Sequence, residues 1–172
     1  MGGISGVDII LPEKINSEKG GEGTNLETRV IFHDFDDKGN LLKASQSGGA
    51  HSHYIWGYDG MYPVAKIDNL SSISTLSSYI NDIHTASNVT PITVSSENAL
   101  IQELNDLRDY LRNNIPASQI TTYTHKPLLG VSTITDPGGV LVRYFYDHLN
   151  RLDYVEDKDG NRVSKNEYNF KN

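Results

Sequence analysis

The chain contains no cysteine, which excludes disulfide bridges and thiolate zinc sites. It also has no run approaching the roughly 20 apolar residues of a membrane-spanning helix. Basic residues are few, 15 against 22 acidic ones, for a formal net charge of −7. Because they form no cluster that would neutralise phosphates, neither nucleic acid nor an anionic membrane surface is an expected partner.

The motifs of common enzyme classes are missing as well. The sequence has no G-x-S-x-G nucleophile elbow and no Walker loop. The aspartates that a glycosidase would need lie at predicted turn tips, where a raised carboxyl pKa and a fixed separation are hard to maintain. They are Asp36, Asp37, Asp157 and Asp159. We therefore predict a protein that is not an enzyme and uses no cofactor.

The apolar residues come in short runs separated by Gly, Asp and Asn, a pattern that favours many short strands. Residues 1–25 predict a short edge strand ending at Pro12, followed by a flexible tether at residues 20–23. Residues 26–68 predict the first β-hairpins. Their first turn carries Gly39, which we expect in the left-handed region, with a G1 bulge.

Residues 69–118 change period. Over 71–86 and 96–113 apolar side chains recur every three or four positions, which predicts two amphipathic helices, the second capped by Ser95 or Ser96. The apolar stripe of the second helix consists of Leu100, Leu104, Leu107 and Leu111. This stripe predicts helix packing, with insertion into a partner's groove as the alternative.

Strand signals resume in residues 119–172, where an internal repeat appears. Asp136 and Gly139 of one predicted turn correspond to Asp157 and Gly160 of another, 21 residues later. A period of this length is typical of an architecture built from one repeated supersecondary unit.

The insertion point of the helices follows from the same pattern. The dipeptide Tyr58-Asp59 precedes Asp68 much as Tyr146-Asp147 precedes the later turn at Asp157. We therefore expect a turn to begin at Asp68 and the helical hairpin to replace the tip of that β-hairpin, since loop-closure entropy grows slowly with length.

The repeat resembles a known family. Residues 146–152, Tyr-Asp-His-Leu-Asn-Arg-Leu, followed by residues 157–161, Asp-Lys-Asp-Gly-Asn, resemble the YD repeat of RHS-type bacterial proteins, with Asn150 where glycine is usual. Residues 55–67 and 121–137 are similar to the tail region of large surface-associated YD-repeat proteins of Bacteroidetes-like bacteria. The resemblance as a whole covers residues 26–68 and 119–170. In that family, repeat arrays form a curled or shell-like sheet that encloses a toxin or is displayed as an adhesin.

The expected fold is α+β, mainly β, with antiparallel YD-type hairpins in one curved sheet and an inserted two-helix hairpin. In such a hairpin, tyrosine buries its ring, aspartate hydrogen-bonds the turn backbone and glycine supplies the positive φ. The residues expected in these structural roles are Tyr146, Asp147, Arg151, Leu152, Asp157, Gly160, Asn161, Gly39, Asp136 and Gly139.

Two groups of side chains are candidates for binding. Alternation along a strand places Tyr54, Trp56 and Tyr58 on one side, where they form either a sugar-stacking face or part of the core. His51 and His53 likewise share one face as half of a metal site. Because the spacing indicates no third ligand, we predict no metal.

The predicted function is that of a non-catalytic scaffold segment of a larger exported YD-repeat protein, secreted or at the cell surface. Its partners are then the neighbouring repeats of the parent chain. One alternative is a carbohydrate-binding or adhesion module. The other is a toxin-associated segment that binds an immunity or partner protein through the helical hairpin. The first residues lack the basic and apolar regions of a signal peptide, so an export signal is expected elsewhere in the parent.

Overall fold

The structure is a computed structural model that describes residues 9–18 and 26–169. Within these residues, ten strands form one antiparallel sheet in which the strands follow one another in chain order. The strands are β1 (Lys14–Glu18), β2 (Leu26–Phe35), β3 (Leu41–Gln46), β4 (His51–Gly57), β5 (Tyr62–Asp68), β6 (Gln119–Lys126), β7 (Gly130–Thr135), β8 (Leu141–Tyr146), β9 (Leu152–Asp157) and β10 (Arg162–Lys165). The predicted mainly β class is confirmed.

The helices are α1 (Ser77–Ser87), which follows a short 3-10 turn at Ser74–Leu76, and α2 (Val94–Asn114). They lie between β5 and β6, which pair directly with each other, Asp68 opposite Gln119. The helical hairpin therefore occupies the tip of a β-hairpin, as predicted. Neither helix has the length and apolarity that crossing a membrane requires, over the residues that the structure describes.

The predicted start of α2 needs a correction. The cap is Thr93, whose backbone is extended and whose side chain accepts a hydrogen bond from the Ser96 amide at 3.1 Å. The Ser96 hydroxyl in turn accepts from the Thr93 amide at 2.8 Å. This reciprocal capping box places Ser96 inside the helix, at its third position, which is why neither Ser95 nor Ser96 is the cap.

The predicted N-terminal strand also lies elsewhere. Residues 9–13 form no strand, and the edge strand β1 begins at Lys14, after Pro12. Proline has no N–H to donate to a ladder, and here it precedes the paired segment instead of ending it. Residues 7 and 8 of the predicted strand and the predicted tether at residues 20–23 lie outside the described residues.

The core lies between the helical hairpin and the middle strands β4 to β6. It contains the four leucines of α2, which are at most 2% exposed. These leucines face Ile55, Val64, Ala65, Ile67 and Ile120 of the sheet, together with Leu76 and Ile83 from the first helical segment. Burying one such side chain contributes about 1.5–3 kcal/mol. The stripe is thus used for internal packing, and the alternative that it fills a partner's groove is wrong.

Burial is uneven along the sheet. Every residue of β8 and β9 is only partly buried, and every residue of β10 is exposed. The strands that carry the closest match to the repeat therefore have no second layer over them, among the residues that the structure describes.

Candidate functional site

Four hairpin turns share one arrangement around an aspartate. The aspartate N–H donates to the carbonyl of the residue four positions later, and the residue three positions later donates back to the aspartate carbonyl. The eight N···O distances lie between 2.8 and 3.2 Å. The aspartates are Asp36, Asp136, Asp147 and Asp157. The turns at Asp136 and Asp157, which the 21-residue repeat relates, thus have the same backbone geometry.

The residue three positions after each aspartate has a positive φ. Gly39 has φ +83°, which confirms the predicted left-handed glycine, and Gly139 and Gly160 have +88° and +81°. Asn150 takes the same place with φ +62°. Asparagine tolerates this region better than most residues with a Cβ, which explains how it replaces the usual glycine.

Each aspartate carboxylate then fixes its turn. One oxygen accepts the N–H of the residue four positions later in all four turns, at 2.7–3.0 Å. The other oxygen accepts from a side chain at the same position in three of them. The side-chain donors are Asn40 at 2.9 Å, Arg151 Nε at 2.9 Å and Asn161 at 3.0 Å. Val140 has no such donor, so the turn at Asp136 lacks this bond.

The electrostatics follow from these bonds. The backbone N–H and the guanidinium of Arg151 hold the pKa of Asp147 at about 2. The side chain and backbone N–H of Asn161 lower the pKa of Asp157. Carboxylates that stay ionised and hydrogen-bonded in this way suit a structural role, whereas a general acid needs a raised pKa.

Tyr146 joins one hairpin to the next. Its hydroxyl donates to the carbonyl of Val131 at 2.8 Å. Its ring lies over Gly130, where an added Cβ would approach the Tyr146 hydroxyl to 2.5 Å. Leu152 pairs with Tyr146 across the hairpin, with a bulge beside the pair. The residues of the motif therefore contact each other or the neighbouring strand.

The three aromatic residues of the predicted face do not lie together. Tyr54 and Trp56 are half-buried on β4, but the strand ends at Gly57 and the chain turns at Tyr58, which has φ +54°. Tyr58 is only 5% exposed, and its ring lies in the core. Its hydroxyl accepts a hydrogen bond from the backbone N–H of His125 at 2.9 Å. The predicted shared side is wrong for Tyr58, because it assumed that the strand continues.

The dipeptide Tyr58-Asp59 also differs from Tyr146-Asp147. Both its residues have positive φ, +54° and +56°, and Gly60 donates to the Gly57 carbonyl. They are thus the two central residues of a tight hairpin turn, whereas Tyr146 ends a strand. The predicted correspondence fails for this pair, although the insertion point inferred from it is right.

Three of the histidines, His33, His51 and His53, lie in a row on neighbouring strands. His51 lies between His33 and His53, with ring centroids 5.0 and 6.4 Å apart. His33 contacts the Ser45 hydroxyl at 2.8 Å, and the buried His53 donates to the Leu70 carbonyl at 3.1 Å. Within residues 9–18 and 26–169, no group of three ligating side chains has the geometry to hold a metal ion. The sequence alone did not place His33 next to His51 and His53, because only the pairing of β2 with β3 and of β3 with β4 brings the three together.

A cleft of about 740 Å³ lies between α1, the segment before it and the strands β3 and β4. Tyr54, Trp56, His53 and His84 are among its lining residues. The two hairpin tips at its rim are joined, because Asn40 donates to the Gly60 carbonyl at 2.8 Å and Lys38 hydrogen-bonds the Asp59 carbonyl. The charged residues of its lining are four aspartates, Asp34, Asp36, Asp37 and Asp59, and two lysines, Lys38 and Lys43.

A second polar cluster lies under α2. The Thr124 hydroxyl bonds the Glu97 carboxylate at 2.6 Å and the Thr133 hydroxyl at 2.7 Å. Next to it, the His125 ring stacks on Tyr62 with centroids 4.8 Å apart, and its Nδ1 has no partner among the described residues. Burial lowers the pKa of His125 to about 4. This buried imidazole packs β6 against the rings of Tyr58 and Tyr62.

Neither the protein-family models nor the curated proteins contain a match to this sequence. The resemblance to the YD repeat therefore remains a prediction from the residues, and the geometry of the turns is the basis for a functional proposal.

Proposed function

We propose that the chain is a non-catalytic scaffold segment of a larger exported YD-repeat protein, in surface display or encapsulation. The observation that carries the proposal is the aspartate turn, which recurs four times in a sheet whose strands follow chain order. An architecture of this kind extends by adding hairpins, because each unit contacts chiefly its neighbours.

The chemistry of the motif supports the same function. The carboxylates of Asp36, Asp147 and Asp157 are occupied on both oxygens by bonds within their own turns. The Tyr146 hydroxyl is likewise bonded to the neighbouring strand. These residues hold the backbone in place, and none of them needs a substrate to complete its hydrogen bonds.

The uncovered end of the sheet supports a larger parent chain. β8 and β9 are partly buried on both faces and β10 is exposed throughout. An edge strand presents unpaired N–H and C=O groups that a further strand can use. Neighbouring repeats of the parent would pair with this edge and cover the adjoining strands.

A second candidate is carbohydrate binding, because Tyr54 and Trp56 line the 740 Å³ cleft beside several carboxylates. Aromatic rings with a few polar groups are a common lining of ligand sites. Trp56→Ala should then abolish retention on glycan supports, while Tyr123→Phe, on a neighbouring part of the sheet, should not. A protein that binds no glycan in either form would eliminate this candidate.

The scaffold proposal is tested by protease shaving of intact cells, with mass spectrometry of the released peptides and immunoblotting of the parent polypeptide. We expect peptides of this segment at the cell surface and a parent much larger than 172 residues. A free cytosolic protein of about this length would contradict the proposal.

A further inference from the structure

Arg108 of α2 is a buried cation without an acidic partner. It is 4% exposed, and no carboxylate of the described residues lies within ion-pair range of its guanidinium. Its nitrogens donate to neutral oxygens, of Asn105 at 2.7 Å, of the Thr122 hydroxyl at 2.9 Å and of the Thr135 carbonyl at 3.3 Å. Its Nε has no partner within the part of the chain that the structure describes.

This arrangement is unusual energetically. Removing a guanidinium from water has a large unfavourable free energy, which a nearby anion normally offsets. Burial, together with the charge of Arg112, lowers the pKa of Arg108, which is the direction expected of an uncompensated cation. The neutral acceptors satisfy hydrogen bonds but leave the positive charge unneutralised.

A crevice of about 330 Å³ opens beside Arg108, between the end of α2, residues 116–120 and the β7–β8 turn. Arg112, one helical turn further on, also lines it. The Arg112 guanidinium extends towards the turn, 3.7 Å from where a Cβ on Gly139 would lie. The other side chains that line the crevice are apolar at Leu111, Pro116, Ile120 and Pro137 and polar at Ser118 and Gln119.

Two carboxylates lie near the crevice, but neither neutralises the charge of Arg108. Asp109 pairs with Arg112 at 3.5 Å, and both side chains are more than half exposed, where such pairs are weak. Asp136 uses one oxygen to accept the Val140 N–H at 2.8 Å, within its own turn. Both favour the charged form of Arg108 from a distance, but neither forms an ion pair with it.

We propose that this crevice binds a carboxylate, held between Arg108 and Arg112, with the short apolar body of the ligand against the apolar walls. Guanidinium groups recognise planar carboxylates through paired N–H donors. A phosphate would be paired less completely than a carboxylate, because it has more oxygens and charge to satisfy and the crevice adds only Ser118 and Gln119, and no lysine, to the two arginines. The carboxylate comes either from a free small acid or from an acidic side chain of a neighbouring polypeptide segment.

The test is a titration of the 172-residue protein followed by two-dimensional amide NMR. Sodium succinate, sodium phosphate and sodium chloride are compared at matched ionic strength. We expect saturable shifts of the amides of residues 117–120 and of Gly138 and Gly139 with succinate, and none with phosphate or chloride. A short acetylated peptide carrying one glutamate is the second arm. If the peptide binds more tightly than succinate, the source is a polypeptide; the reverse order indicates a free acid.

Variants separate binding from general charge effects. Arg112→Gln should weaken the apparent Kd for succinate about tenfold, the usual consequence of losing a charge-assisted hydrogen bond. Arg29→Gln removes the same charge from an exposed site on β2 and should leave the Kd unchanged. Arg108→Lys keeps the positive charge but lacks the paired N–H donors of the guanidinium, so it should also weaken binding, provided the amide spectrum shows an intact fold.

Three outcomes would overturn the proposal. One is the absence of saturable shifts with succinate and with the peptide. Another is an equal response to phosphate or chloride, which would indicate non-selective anion binding. The third is a Kd in Arg112→Gln equal to that of the Arg29→Gln control.

Discussion

The helix-covered middle of the sheet and the uncovered C-terminal hairpins are built from the same kind of strand but are held differently. Strands β4 to β6 pack on α1 and α2, and the core formed by this region contains every buried apolar side chain of the described residues except Ala44 of β3. Strands β8 to β10 contain none and are held by aspartate turns, strand pairing and aromatic contacts at the surface. Among these contacts are the stacked Phe145 and Tyr154 rings, with centroids 4.5 Å apart.

The difference separates two sources of order in one sheet. The core contributes the free energy that makes an isolated domain stable, whereas a hairpin turn fixes geometry and register with small net energies. Strands β8 to β10 resemble the YD repeat most closely and are buried least. These are the properties expected of a repeat unit that is stabilised by further repeats, as proposed above. The middle has the core that packs against its helical insertion.

The largest expected contrast comes from removing a core side chain. Leu107→Ala deletes a side chain that is 0% exposed and should lower the free energy of unfolding by about 2–5 kcal/mol. Val163→Ala, in β10 at 58% exposure, should change it by less than about 0.5 kcal/mol. Urea denaturation followed by circular dichroism measures both. Similar losses in the two variants would contradict the proposed division.

Lowering the pH should destabilise the two regions in different pH ranges, and the helix-covered middle should respond at the higher pH. The pKa of His125 is lowered from 6.5 to about 4, so between these values the unfolded chain binds a proton that the folded chain excludes. Stability therefore rises with pH through this window and is lost as the pH falls from about 6.5 to 4, by about 3 kcal/mol. His125→Phe should reduce this dependence, whereas replacing the exposed His84 with Gln should not. Identical pH profiles in all three proteins would contradict the prediction.

A smaller effect is expected at the tyrosine that closes the core. Tyr58→Phe removes the hydroxyl that accepts a hydrogen bond from the buried backbone N–H of His125. The variant should be less stable by about 1–3 kcal/mol. Tyr123→Phe is the matched control, since the Tyr123 hydroxyl has no hydrogen bond within the described residues. Thermal unfolding compares the two variants, and equal melting temperatures would show that the Tyr58 bond contributes nothing.

The smallest effect is local and belongs to the uncovered hairpins. Because the pKa of Asp147 is held at about 2, its contribution is present above the ordinary pKa, near 4, and is lost as the pH falls through about 2. The turn amides of Leu149 and Arg151, which donate to this carboxylate, should lose protection from hydrogen exchange in that window. Asp147→Asn should remove the pH dependence. A wild-type turn that is insensitive to pH below 4 would contradict this account.

The strands, the turns and the position of the helical insertion could be predicted because local signals determine them. Alternation, a glycine three residues after an aspartate, and a change of period at residue 69 are all visible in the sequence. The cap at Thr93 was missed because two serines nearby carry the same preference. The place of Tyr58 depends on where β4 ends, which alternation does not specify.

Contacts between distant segments were beyond the sequence. His33 joins the other histidines only through strand pairing, and Arg108 looks like an ordinary solvated residue of an amphipathic helix. Its burial depends on β6 and β7, whose threonines accept its hydrogen bonds from 14 and 27 positions away. The sequence pattern therefore predicted the sheet and its helical insertion better than the crevice.

Amide hydrogen exchange over the whole chain, measured residue by residue at neutral pH, tests the central division most directly. We predict slow exchange in β4 to β6 and in α2, governed by global unfolding, and much faster exchange in β8 to β10, governed by local opening. Uniform protection across both regions would show that the C-terminal hairpins share the stability of the core. It would contradict the proposal that these hairpins depend on neighbouring repeats of a parent chain.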